Sequence, residues 1–140
     1  MNDCIFCKII NGDVPSYKVY EDEFVYSFLD LSQTTLGHTL LIPKKHVKDV
    51  FEYDEKLAEA VFGRVPLVAN ALKQALPDLQ GLNIINNNGE LAGQSVFHSH
   101  IHFIPRYTNS DTFTLKFTDN SSHYQPERLA KLAEEIKNEI

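Results

Sequence analysis

His98-Ser99-His100-Ile101-His102-Phe103-Ile104-Pro105-Arg106 is the stretch on which the reading turns, because polar and apolar residues alternate along it with the period of a β-strand. Successive strand side chains point to opposite faces, so His98, His100 and His102 line one face while Ser99, Ile101 and Phe103 take the other. A strand over His98–Ile104 needs neighbours. Tyr17–Tyr20 and Phe24–Leu29 are rich in β-formers and flank a short polar break at 21–23, which predicts an antiparallel hairpin. Thr39–Ile42, ended by Pro43, and Leu82–Asn86 supply the remaining strands of a five-stranded sheet.

Leu57, Val61, Val65, Val68, Leu72 and Leu76 step by three or four, which predicts one long helix kinked at Pro66 and ended by Pro77. A short helix over Asp3–Ile10 carries Ile5, Phe6 and Ile9 on its apolar side. Pro126 suits a first helical position, and Leu129, Leu132, Ala133, Ile136 and Ile140 line one face of a helix over 126–139. The expected architecture is one α+β domain over residues 1–140, its antiparallel sheet covered by the long and C-terminal helices.

The 140 residues suit a single core, and 43% hydrophobic residues with 11% aromatics supply it without disulfide staples. A net charge of −6 argues against sequence-independent nucleic-acid binding, which needs clustered cations against phosphates. No apolar run reaches the roughly 20 residues of a membrane span. The opening MNDCIFCKIING lacks the charged region and apolar core of a signal peptide, so a cytoplasmic setting without membrane contact is expected. Cys4 and Cys7 form a C-x-x-C, whose spacing suits metal or redox chemistry in a reducing compartment.

Three imidazoles on one face cost too much desolvation for casual packing. One ion shared by all three is opposed by geometry, since His98 and His102 lie about 13 Å apart at Cα in a strand, against zinc–nitrogen bonds of about 2.0 Å. Nucleophilic attack by the middle ring remains. Imidazole, with an ordinary pKa near 6.5, is largely neutral at cellular pH, and phosphorus is a suitable electrophile. Asn86-Asn87-Asn88-Gly89 and Gly93-Gln94-Ser95, just upstream, offer small and amide-bearing residues whose backbone N–H groups can approach an anion.

Taken in order, GHTLLIPKKH, NNNGELAGQSVF and HSHIHFIPR resemble the histidine triad superfamily of nucleotide hydrolases and transferases, from about Cys4 to Arg106. The defining pattern alternates histidine with apolar residues. Ser99 departs from it, as a partly solvated back face would allow. The resemblance implies that His100 attacks the α-phosphorus to give a nucleotidyl-histidine, that His102 contacts the phosphate and that His98 orients the nucleophile. It also implies that His38 is a further active-site histidine and that Ser95 lies near the leaving group, within a phosphate loop of Gly93, Gln94 and Ser95. Asp30 matches a carboxylate on the ribose hydroxyls and Asn87 a sugar-phosphate contact, while Ile5, Phe6, Ile9, Phe28 and Leu31 match the walls of a purine pocket. Cys4, Cys7, His46 and His98 match a structural zinc site, with an empty thiol pair as the alternative. Relatives are commonly homodimers, and exposed Phe51 and Phe62 would be compatible with that. Purine nucleoside phosphoramidates and dinucleoside polyphosphates both remain open as substrates, as does a non-catalytic nucleotide-binding module. Residues 107–140 lie beyond the resemblance.

Overall fold

The computed structural model describes residues 3–140. Strands β1 (Lys18–Glu21), β2 (Val25–Leu29), β3 (Thr39–Pro43), β4 (Gly81–Asn86) and β5 (Ile101–Arg106) form one antiparallel sheet in the order β1-β2-β3-β5-β4. The α+β class and the strand count agree with the periodicity.

Alternation divides the sheet's two faces. Val25, Leu41, Ile101 and Phe103 point to one side and pack on Leu57 and Val61 of α2 (Glu55–Gly63) and Val68 and Leu72 of α3 (Val65–Ala75). Tyr26, Phe28, Leu40 and Ile42 point to the other side, where α1 (Ile5–Ile10) lays Phe6 and Ile9 across them. The long helix breaks between α2 and α3 at Arg64, and Pro66 falls in the first turn of α3, where its missing N–H would lack a helical partner anyway.

Three expectations need correction. The ladder begins at Ile101 rather than His98, because the backbone before it bonds elsewhere: the Ser99 N–H donates to the Val47 carbonyl, and the His100 carbonyl accepts from the Asn86 amide. Ser99 does not face solvent; it is buried, with its hydroxyl 2.9 Å from that of Tyr53. The C-terminal helix α4 (Pro126–Asn138) does not cover the sheet, since Leu129 and Ile136 are each more than half exposed. What ties residues 107–140 to the body is their root, where Tyr107 Oη donates to the Leu36 carbonyl and Thr112 Oγ1 to that of Thr34.

Candidate active site

Strand register gathers the site. The β2–β3 hairpin sets Leu29 opposite Thr39, so Asp30 and His38 meet just beyond its end, and the Asp30 N–H donates to the His38 carbonyl at 2.9 Å. Pairing of β3 with β5 sets Leu40 opposite His102, making His38 and His102 diagonal neighbours on one face. Gln33 braces the intervening turn: its side-chain amide donates to the carbonyls of Asp30 and His38, and its oxygen accepts from the Gly37 N–H. Gly37 has φ +93°, and a Cβ there would come within 2.7 Å of the Leu76 side chain and 3.2 Å of Pro105.

Hydrogen-bond chemistry fixes the ring protons. His100 Nδ1 lies 2.8 Å from the His98 carbonyl, which can only accept, so Nδ1 carries the proton and the neutral ring keeps its lone pair on Nε2. Burial pushes the His100 pKa down, favouring that neutral form. His38 Nδ1 accepts from the Thr34 N–H at 3.2 Å, so its proton is on Nε2, which donates to His102 Nδ1 at 2.9 Å. His102 consequently presents an Nε2–H donor. Burial, then the neighbouring His100 and His38, lower its pKa to about 4. The rings of His100 and His102 sit 4.9 Å apart at their centroids, and Phe6 meets His100 edge-on at 5.1 Å. The row deduced from alternation therefore exists, although its first two members precede the ladder.

Asp30 Oδ1 accepts from both the amide and the hydroxyl of Ser32, and Oδ2 stands 3.6 Å from His38 Nε2. Burial pushes its pKa up, but the two Ser32 bonds prevail and hold the carboxyl below its usual value. Asp30, His38 and His102 are close enough to chelate a cation. The Thr34 N–H opposes it: a neutral His38 bound to metal through Nε2 would carry its proton on Nδ1, facing that donor.

A second cluster has the opposite character. His98 Nε2 lies 2.8 Å from the Pro43 carbonyl and so holds the proton, turning the Nδ1 lone pair toward Cys4, Cys7 and His46. Cys4 Sγ–His98 Nδ1, Cys7 Sγ–His98 Nδ1, Cys7 Sγ–His46 Nδ1 and His46 Nδ1–His98 Nδ1 measure 3.4, 3.6, 3.3 and 3.2 Å. Tetrahedral bonds of about 2.0 Å to nitrogen and 2.3 Å to sulfur require edges of about 3.3–3.8 Å. The four donors fit such an ion. Burial, then Cys4, raise the Cys7 thiol pKa, so two thiolates here call for positive charge between them.

The phosphate-loop candidates lie between β4 and β5. Gly93 has φ +98°, and a Cβ there would touch the Asn87 amide at 3.5 Å. Gln94 is buried, with its side chain accepting from the Gly89 N–H and donating to the carbonyls of Lys48 and Val96, so it shapes the loop from within. Ser95 is exposed beside Cys4 and His46. Residues 11–109 match the HIT domain family. The chain belongs to the HIT family.

The HIT fold is shared closely with solved structures. A HIT family protein from Bacillus subtilis superposes with a TM-score of 0.94 at 50% identity, covering 99% of this chain and 97% of that one. A zinc-bound histidine triad protein from Mycobacterium smegmatis gives 0.75 at 32% identity, over 95% and 97% of the two chains. The adenosine 5′-monophosphoramidase of Schizosaccharomyces pombe is 38% identical over 98% of each chain.

Beside the histidines of this HIT protein lies a cavity of about 300 Å³ lined by Ile5, Phe6, Ile9, Phe28, Asp30 and Leu31, six residues expected around a nucleoside. Leu31 is 79% exposed and marks its mouth. Sequence reasoning missed Gln33, Thr34 and Tyr53, which orient the site through turn and interlayer contacts that no periodicity reports. Ser16 was missed for the same reason.

Proposed function

We propose that this protein hydrolyses purine nucleoside phosphoramidates through a nucleotidyl intermediate on His100. The observation that carries the reading is the His100 tautomer, with Nδ1–H on the His98 carbonyl and an Nε2 lone pair beside a nucleoside-sized cavity. The phosphoramidase relative from Schizosaccharomyces pombe supports the substrate class.

Asp30 Oδ2 accepts from the ribose hydroxyls, and the base enters between Phe6, Ile9 and Phe28. His100 Nε2 attacks the α-phosphorus. The P–N bond of the substrate breaks, its electron pair leaves with the amine nitrogen, and that nitrogen takes a proton from solvent water. His102 Nε2–H donates to a phosphoryl oxygen, aligned by His38, while Gly93 lets the loop backbone and Asn87 close on the same charge. Charge gained by the His100 ring is met by the His98 carbonyl on its Nδ1–H. Water then attacks phosphorus and gives up a proton to solvent, the P–Nε2 bond breaks with its electron pair returning to Nε2, and the nucleoside monophosphate leaves with the water oxygen.

Zinc is the ion proposed for Cys4, Cys7, His46 and His98, supported by the donor distances and by the zinc-bound relative. Four protein ligands close its shell, so its part is structural: it ties α1 to the loop that carries His98. The protein is further proposed to work as a homodimer in the cytoplasm. The open edge of β4 and the uncovered apolar face of α4 support a second copy as partner.

Replacing His100 by Ala should lower hydrolysis of an adenosine phosphoramidate by at least about a thousandfold, with AMP still bound. Turnover near the parent rate would refute the nucleophile. Tight AMP binding by the parent with no turnover of any P–N or P–O–P substrate would favour the binding module instead.

A further inference from the structure

Of the twelve residues lining the cavity, two have polar side chains, Asp30 and Ser16. They belong to different parts of it. Asp30 stands by His38, whereas the Ser16 hydroxyl lies 2.8 Å from that of Tyr26. Tyr26 shares a face of β2 with Phe28 and precedes Asp30 by four residues, about 13 Å along an extended chain. The carboxylate and the hydroxyl pair thus bracket an apolar slot about one nucleoside long. With the ribose on Asp30, the outer edge of a purine meets Ser16.

A hydroxyl pair is a two-way reader. When Tyr26 donates to Ser16, the Ser16 proton is free to donate to a ligand; when Ser16 donates to Tyr26, its lone pairs are free to accept. Adenine carries a 6-amino donor at that edge and guanine a 6-oxo acceptor. Rotation of two hydroxyls answers either without moving the backbone.

We propose that Ser16, backed by Tyr26, is the base-reading residue of this site, and that it admits 6-amino and 6-oxo purine nucleotides while penalising a purine with hydrogen at position 6. This rests on the nucleotide-hydrolase reading above. Ser16 is partly exposed and outside the core clusters, so its replacement leaves the packed layers intact.

The test is calorimetric binding of AMP, GMP and the 5′-monophosphate of unsubstituted purine riboside to the full chain, to Ser16→Ala and to Ser16→Thr, with kcat/KM for the three matching phosphoramidates. The parent should bind AMP and GMP within about threefold of each other and the unsubstituted purine about five- to tenfold more weakly, the worth of one hydrogen bond. Ser16→Ala should erase that margin and Ser16→Thr restore it. A margin that survives in Ser16→Ala, or a parent that shows none, overturns the assignment of Ser16. A parent that binds none of the three overturns the nucleotide reading itself.

Discussion

His102 shows how far one ring's protonation reaches. Burial and the facing His100 and His38 hold its pKa at about 4, against about 6.5 in an unfolded chain. Between those values the unfolded chain binds a proton that the folded chain refuses, so this residue's contribution to stability is complete above about pH 6.5 and is lost as pH falls toward 4. Urea midpoints taken from pH 7.5 to 4 should fall more steeply for the parent than for His102→Gln; parallel curves would show that the ring titrates normally. Gln94 makes a different point about single residues. The resemblance puts it in the phosphate loop, and its side chain points inward, where it holds Gly89, Lys48 and Val96 together. A sequence displays a side chain's chemistry and not its direction in a loop.

At the scale of elements, α1 has six residues and would not persist alone in water. Phe6 and Ile9 hold it to the sheet, and Cys4 caps it by accepting the Cys7 N–H. An ion on Cys4 and Cys7 would pin that cap to His46 and His98. Protein purified without added metal should contain about one zinc per chain, and Cys4→Ser/Cys7→Ser should contain none and melt at a lower temperature. Metal-free parent with both thiols freely titratable would defeat the zinc assignment. The break at Arg64 falls two residues before the kink expected at Pro66, and the placing of His102 on the face opposite Ile101 and Phe103 follows from alternation, so both were legible in the residues. The start of β5 was not, because the Val47 carbonyl and the Asn86 amide that take over the backbone at Ser99 and His100 come from distant segments.

For the whole molecule, the apolar stripe of α4 is a feature that one chain leaves unsatisfied. Leu129 and Ile136 lie uncovered, as does Phe117 in the segment leading to them. If a second copy covers this face, light scattering should give twice 16.0 kDa for the parent and one chain's mass for Leu129→Glu/Ile136→Glu, whose exposed positions leave the core untouched. A monomeric parent would remove the dimer. The stripe itself was plain from spacing, since helical periodicity is local, but spacing could not say what the stripe packs on. The sequence by itself determined the α+β class, the five strands, the shared face of three histidines and the cysteine pair, because each follows from a period or a spacing within a few residues. Only the tertiary structure decided which lone pairs are free, that the Pro43 carbonyl turns the Nδ1 of His98 toward the cysteines while Phe6 stands between His100 and the cavity lining, and that α4 stays off the sheet. Those outcomes depend on carbonyls and amides from segments tens of residues away, and only chain folding brings such groups into contact.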